Sequence, residues 1–569
     1  MATSKNKYEQ SSNRWRHYTV LGAGLLLFVA LFVRLAQLQV FETDFLQVEG
    51  TKRTVREHNI DAYRGMIVDR NNEPLAVSTP VKSIWANPKQ ILKDHVDISS
   101  LAPLLNISPS QLNARIKQSG SKEFIYLERH MNPAMAKAIS ELNLPGIGIQ
   151  QEFKRYYPAA EVASHVVGFT NIDEQGIEGV ELAYDAWLQG QPGKGRVVKD
   201  RLGRLVKDLG VMKVAEPGSE LMLSIDLRLQ YQAYRELKAS VQQHGAKAGS
   251  LMMVDVKSGE ILALVNQPAF NPNNRAELKA ASVRNRSVTD IFEPGSTVKP
   301  FTVAAALMSG DINKDSIINT HPGYLRVGSK TIRDHRDYGE LDITGVLTKS
   351  SNVAVSKMSF KLGGENLWGF YQQLGLGKPV GLGLPGEHGG KVAVEGSKWS
   401  RLQSATLSYG YGLAVTPLQL AQAYQVLANG GVKQPLTLVR RNPEKGKRIM
   451  PEKVANDVVN MLQSVVGPKG TARRAYVEGY PVAGKTGTVH KVGANGYEDE
   501  RYLSLFAGIA PADDPRIVTI VVIDEPNGRE YYGGEVAAPI FSRVTQSSLR
   551  LMNVMPTVFE DKSIAGRLE

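Results

Sequence analysis

Residues 17–33 contain no Asp, Glu, Lys or Arg, and the run from Tyr18 to Val33 reads YTVLGAGLLLFVALFV. From Leu25 to Val33 it is apolar on every face, which does not suit a helix on the surface of a soluble domain. A spanning helix needs about 17–25 residues. Arg34 can snorkel, so the helix can run on through Leu35, Leu38 and Val40. Lys5, Lys7, Arg14 and Arg16 precede the run, opposed there by Glu9 alone. The positive-inside rule then puts residues 1–17 in the cytoplasm, 18–40 in the membrane and everything after Phe41 outside. A cleaved signal peptide is the alternative, but no A-x-A-like site follows the apolar core.

The 569 residues allow roughly two to four domains. A composition of 42% hydrophobic and 22% charged residues is that of folded protein, with no repeat or low-complexity tract. The net charge of +12 is dispersed and no nucleic-acid-binding motif accompanies it. It suits an anionic membrane surface or an anionic polymer instead. With no cysteine, disulfides and thiolate metal sites are excluded. The ten histidines are scattered without ligand spacing, which fits structural or exposed roles.

After the anchor, residues 41–217 mix short apolar runs with turns. Arg64-Gly65-Met66-Ile67-Val68-Asp69-Arg70, then Pro74-Leu75-Ala76-Val77, predicts a glycine turn, a short strand, a polar turn and a second strand. Residues 101–145 have helical periodicity, with Asn132-Pro133 as a helix start. Residues 176–190 predict one helix with Val180, Ala183, Tyr184 and Trp187 on one side. No catalytic constellation is found here. The turn Glu216-Pro217-Gly218-Ser219 marks a boundary. Beyond it, residues 249–256 and 259–266 predict a hairpin through Lys257-Ser258, residues 503–510 and 517–524 a second strand pair, and residues 535–550 a helix. Strands at both ends with helices between them predict an antiparallel sheet flanked by helices over residues 218–552. The polar tail 553–569 is expected to fray.

The chemistry lies in three fragments. In Ser296-Thr297-Val298-Lys299 the hydroxyl and the amine are one turn apart, behind the helix-launching turn Glu293-Pro294-Gly295. Pro300 cannot donate to the carbonyl of Ser296, which loosens that turn. A helix N-terminus offers N–H groups to a developing oxyanion. Serine needs a base, and lysine serves if burial or a second cation lowers its pKa; Lys485 is the candidate second cation. Ser350-Ser351-Asn352 offers a relay hydroxyl and an amide for a peptide, though it would equally make a helix cap. Lys485-Thr486-Gly487-Thr488, on an edge strand, offers carboxylate-binding groups, with Gly487 allowing close backbone approach.

S-x-x-K, S-x-N and K-T-G in this order resemble the signature of penicillin-binding proteins and serine β-lactamases. The middle motif carries Ser351 where the general pattern has Asp. The single anchor, Arg64–Arg70 and Leu223-Ser224-Ile225-Asp226 resemble class B penicillin-binding proteins. Arg284-Asn285-Arg286-Ser287-Val288-Thr289-Asp290, Ser408–Leu413 and Val415–Gln419 look like the division-specific, FtsI-type branch. The resemblance implies a multi-domain α+β protein with a transmembrane helix, an elongated non-catalytic module of pedestal or dimerisation type and a transpeptidase domain.

It also implies a periplasmic D,D-transpeptidase of the inner membrane at the division septum, needing no metal or organic cofactor. Ser296 would attack a D-alanyl-D-alanine stem peptide, Lys299 would take its proton, and Ser350 and Asn352 would assist. Thr486, Gly487 and Thr488 would line the substrate site beside Lys485, and the N–H groups of Ser296 and Thr488 would form the oxyanion hole. Implied partners are an acceptor amine, β-lactams, a membrane glycan polymerase meeting residues 18–40, and other division proteins. The rivals are an elongation-specific transpeptidase, a D,D-carboxypeptidase, a β-lactam sensor or β-lactamase, and a non-enzymatic division scaffold. A bifunctional class A enzyme is disfavoured, because no glycosyltransferase motif lies between the anchor and the S-x-x-K region.

Overall fold

A computed structural model describes residues 14–199, 205–393, 399–493 and 496–557. The expected tails 1–17 and 553–569 and the turn around Gly493–Gly496 fall partly outside these residues. The chain divides into two compact units, one of residues 1–62 and 191–216, the other of residues 63–190 and 217–569.

In the first unit a helix runs from Arg14 to Ala36 and passes through a π-helical turn, Gln37–Phe41, before a second helix, Thr43–Thr54. Trp15–Phe41 is long and apolar enough to cross a membrane, and none of its apolar window is buried. At about 1.5 Å per residue, its 27 residues exceed a hydrocarbon core of about 30 Å. Three antiparallel strands follow in the order Val55–Ile60, Gly193–Lys199 and Leu205–Lys213.

The second unit holds the remainder of the module and the sheet domain around one main core. That core runs from Ile67, Leu75 and Val180 through Leu251, Phe301 and Phe541. A satellite core, including Ile84, Leu101, Leu112 and Ile139, lies within the module. The strands expected after Arg64 are Ile67–Val68 and Pro74–Ala86, and Asn132 caps the helix Pro133–Glu141 through its side chain.

The helix expected over residues 176–190 is corrected. Gly176–Glu178 is a strand, and two short helices, Gly179–Ala183 and Asp185–Leu188, break at Tyr184. Ion-paired carboxylates bracket the break. Arg64 donates to Glu181 (2.8 Å) and Asp185 (2.7 Å), and Arg155 to Glu181 (2.7 Å). Gly179, at φ 63°, keeps the expected helix from starting at Gly176, and the ion pairs hold Glu181 and Asp185 on either side of the break at Tyr184.

The sheet domain contains five antiparallel strands: β1 (Ala248–Asp255), β2 (Ile261–Gln267), β3 (Ala483–Gly493), β4 (Gly496–Ala510) and β5 (Ile517–Asp524). Their order is β2-β1-β5-β4-β3, so the two expected strand pairs join and β3 forms one edge. β1, β2 and β5 are almost wholly buried, matching their continuous apolar runs. Flanking helices are α1 (Leu227–Gln243), α2 (Lys299–Ser309), α3 (Ile343–Lys349), α4 (Asn352–Leu362), α5 (Pro417–Ala428) and α6 (Gly533–Leu551).

Candidate active site

The S-x-x-K segment is wound more tightly than a plain helix start. Gly295–Val298 is a 3-10 turn, α2 begins at Lys299, and the Lys299 N–H donates to the Ser296 carbonyl that Pro300 cannot serve. The turn is held from several sides. Tyr424 of α5 donates its hydroxyl to Thr297 O (2.7 Å), Thr297 Oγ1 donates to Pro294 O (2.7 Å), and the Gly295 N–H donates to Gly410 O (3.1 Å). Gly295 and Gly410 both have positive φ, and a Cβ on Gly410 would lie 2.2 Å from the Gly295 carbonyl oxygen. Ser296 is half-buried.

Lys299 is fully buried. Its Nζ donates to Asn352 Oδ1 (2.7 Å), Ser350 Oγ (3.1 Å) and the Ser350 carbonyl. Two adjoining helix ends create this arrangement. Ser350 ends α3 in the left-handed region at φ 57°, a conformation that costs about 1–3 kcal/mol for a non-glycine residue. Ser351 caps α4, its Oγ accepting from the Ala354 N–H (3.0 Å), so the cap reading and the relay reading fall on adjacent residues. Asp334, which the motifs did not reveal, pins the junction. It accepts from Ser351 Oγ (2.5 Å), the Asn352 N–H (2.6 Å) and the Val353 N–H (3.1 Å). Asn352 Nδ2 donates to Arg333 O (3.0 Å), so its amide keeps one N–H and one lone pair for a peptide.

Lys485 on β3 is also fully buried, with Nζ donating to Thr486 O (3.2 Å). Burial alone pulls its pKa down to about 7. Burial likewise takes Lys299 well below the ordinary lysine value, the Lys485 charge pushes it lower, and Asp334 opposes both. β3 lies against both neighbours of Ser296. A Cβ on Gly487 would meet Thr297 Cγ2 at 3.0 Å, and one on Gly295 would meet Val489 Cγ2 at 2.6 Å. Glycine at 487 therefore serves close packing of β3 on the serine turn. The Thr486 hydroxyl is paired with Thr471 Oγ1 (2.9 Å), and Thr488 Oγ1 accepts from the Gly533 N–H (3.0 Å). The three fragments thus lie together between α2, α4 and β3.

Residues 249–546 match the penicillin-binding protein transpeptidase domain, and residues 59–223 match the penicillin-binding protein dimerisation domain. The chain is 45% identical over 549 residues to the peptidoglycan D,D-transpeptidase FtsI of Escherichia coli K12, covering 95% of this chain and 92% of that one. It is 42% identical over 562 residues to the probable peptidoglycan D,D-transpeptidase PbpC of Pseudomonas aeruginosa, covering 98% and 99%. Penicillin-binding protein 3 of Mycobacterium tuberculosis, solved with aztreonam, matches with a TM-score of 0.68 at 28% identity, over 88% of this chain and 100% of that one. With a buried lysine pair around the serine turn and matches along nearly its whole length, the chain belongs to the class B penicillin-binding proteins, the peptidoglycan D,D-transpeptidases.

Proposed function

We propose that this chain cross-links peptidoglycan at the division septum through an acyl-enzyme on Ser296. The reading rests on one observation above all: two fully buried lysines, Lys299 and Lys485, flank the half-buried turn that carries Ser296. Burial first, and the Lys485 charge second, hold the Lys299 pKa well below the ordinary lysine value, which favours the amine form; that form donates to two of its three acceptors and keeps a lone pair to accept the Ser296 proton. Ser296 Oγ then bonds to the carbonyl carbon of the penultimate D-alanine. The C–N bond breaks, and the departing D-alanine nitrogen takes a proton through Lys299 and Ser350, whose Oγ is 3.1 Å from Nζ. The N–H groups of Ser296 and Thr488 receive the oxyanion. A substrate carboxylate beside Lys485 restores that lysine's charge. An acceptor amine attacks the ester, forms the new amide and returns the hydroxyl to Ser296.

The test is covalent. The full chain in detergent is treated with benzylpenicillin, digested and mapped by mass spectrometry. A penicilloyl group on Ser296, absent from Ser296→Ala, is expected; an adduct on another residue, or none, overturns the reading. A transpeptidase is also expected to hold that adduct for many minutes, whereas a β-lactamase clears it.

Residues 18–40 anchor the protein in the inner membrane, residues 41–217 serve as the non-catalytic module and residues 218–552 as the transpeptidase domain. The excess of Lys and Arg before Tyr18 supports a cytoplasmic N-terminus and a periplasmic catalytic domain. Alkaline phosphatase fused after Ile60 is therefore expected to be active, and an inactive fusion of normal abundance would reverse the orientation. A membrane glycan polymerase at residues 18–40, with other division proteins on the module, would supply the glycan that is cross-linked.

A further inference from the structure

Glu293 lies three residues before Ser296, and the acylation chemistry leaves it unused. Its half-buried carboxylate accepts from the Gly412 N–H (2.8 Å) and the Tyr497 hydroxyl (3.0 Å). Three aromatic rings gather around it. Tyr411 packs on Tyr409 at a centroid distance of 5.6 Å and on Tyr497 at 5.8 Å, with tilts of 58° and 66°. The rings belong to the serine turn's own support, since Tyr409 and Tyr411 flank Gly410, whose carbonyl accepts from the Gly295 N–H. Tyr497 reaches in from β4 and is exposed, so the group opens to solvent on that side.

The electrostatics are one-sided. Burial pushes the Tyr409 and Tyr411 hydroxyls up to about 12, and burial and the Glu293 charge raise Tyr497 as well, so all three rings stay neutral at working pH. Burial also raises the Glu293 carboxyl, while its two hydrogen bonds favour the ionised form. Among the described residues no Lys or Arg pairs with it. A partly desolvated carboxylate beside a cluster of three neutral tyrosines, with no cation paired to it among the described residues, is the chemistry that receives an organic ammonium ion.

We propose that Glu293, with Tyr409, Tyr411 and Tyr497, forms a subsite beside Ser296 for a primary ammonium group of a peptidoglycan stem peptide. The proposal rests on the transpeptidase reading. Such an ammonium has two sources, the acceptor strand that supplies the attacking amine and a side chain of the donor strand that acylates Ser296. The acceptor is favoured because Tyr497, which donates to Glu293, is exposed, so a strand arriving from solvent can reach this carboxylate.

The experiment uses the full chain in detergent and compares the native protein with Glu293→Gln, which removes the charge while its Oε1 still accepts from the Gly412 N–H and its NH2 donates to the Tyr497 oxygen in place of the native bond. In the acceptor arm an amine-free D-alanyl thioester acylates Ser296, and the ratio of aminolysis to hydrolysis is followed against the concentration of a primary-amine peptide. In the donor arm, acylation by a thioester bearing a free side-chain ammonium is compared with acylation by its N-acetylated form. In one arm, E293Q is expected to raise the amine concentration needed, or erase the preference for the ammonium donor, by about tenfold. The responding arm identifies the source. Penicillin acylation of Ser296 is read in parallel and is expected to stay within about threefold, so a general failure of the transpeptidase site is told apart from loss of this subsite. Glu293→Asp, which keeps the charge, is expected to restore most of the selectivity. Unchanged ammonium selectivity in both arms with intact penicillin acylation overturns the proposal. If E293Q does not fold, Tyr497→Ala takes its place, and full selectivity in that variant overturns it equally.

Discussion

Lys299→Met is expected to slow penicillin acylation of Ser296 by about a thousandfold or more while the domain stays folded, since removing a positioned base costs on the order of 10²–10⁴ and this one also relays the proton to the leaving group. Methionine fills nearly the same volume, so packing around α2 is retained. The loss falls on polar contacts: Asn352 Oδ1, Ser350 Oγ and the Ser350 carbonyl each lose the Nζ donor. An orphaned buried acceptor costs about 1–3 kcal/mol, partly offset because a buried amine no longer has to be desolvated. The expected net loss is about 2 kcal/mol, or a few degrees in Tm for a domain of this size. Stopped-flow acylation with a fluorescent penicillin, read beside the melting curve, checks both. Acylation within tenfold of native in a folded variant would remove Lys299 from the base role.

The candidate site was proposed from residue types because the proposed chemistry tolerates few substitutes. Ser296, Lys299, Ser350, Asn352 and Lys485 were named from three short fragments, and the structure sets Lys299 on Ser350 and Asn352 and within electrostatic reach of Lys485. The strand pairs were legible for a different reason. β1, β2 and β5 are buried on both faces, so each had to be an uninterrupted apolar run between turns. What escaped was anything created by the fold alone. Asp334 precedes Ser351 by 17 positions and acts only because the chain returns to place it over the start of α4. Glu293, Tyr411 and Tyr497 come from three separate segments, and no spacing connects them. The break at Tyr184 was invisible because local apolar periodicity favours a helix, while the ion-pair partners of the carboxylates that bracket it, Arg64 and Arg155, come from other strands and turns. Periodicity reports which face is apolar; it carries no information about a distant charge that needs a partner.

The lysine pair also gives the protein a pH dependence with a definite sign. Lys485 is lowered from 10.5 to about 7 by burial. Between those two values the unfolded chain holds a proton there that the folded chain does not. Stability must then rise with pH across that window and fall as pH drops toward 7, by about 1.4 kcal/mol per pH unit for one such group. Other groups titrate in the same range, so the measurement is the difference between native protein and Lys485→Met. Native Tm is expected to gain on the variant by about 3 °C per pH unit between pH 7.5 and 9.5; parallel curves would mean that Lys485 is not held neutral. The kinetic consequence runs through the neighbour. The Lys485 charge lowers the pKa of Lys299, so removing it lets Lys299 hold its proton to higher pH. The acid limb of the acylation rate is therefore expected to move to higher pH in Lys485→Met, on top of a loss of about a hundredfold from the missing carboxylate contact. An acid limb that stays in place, or moves to lower pH, would show that the two amines do not share one cleft.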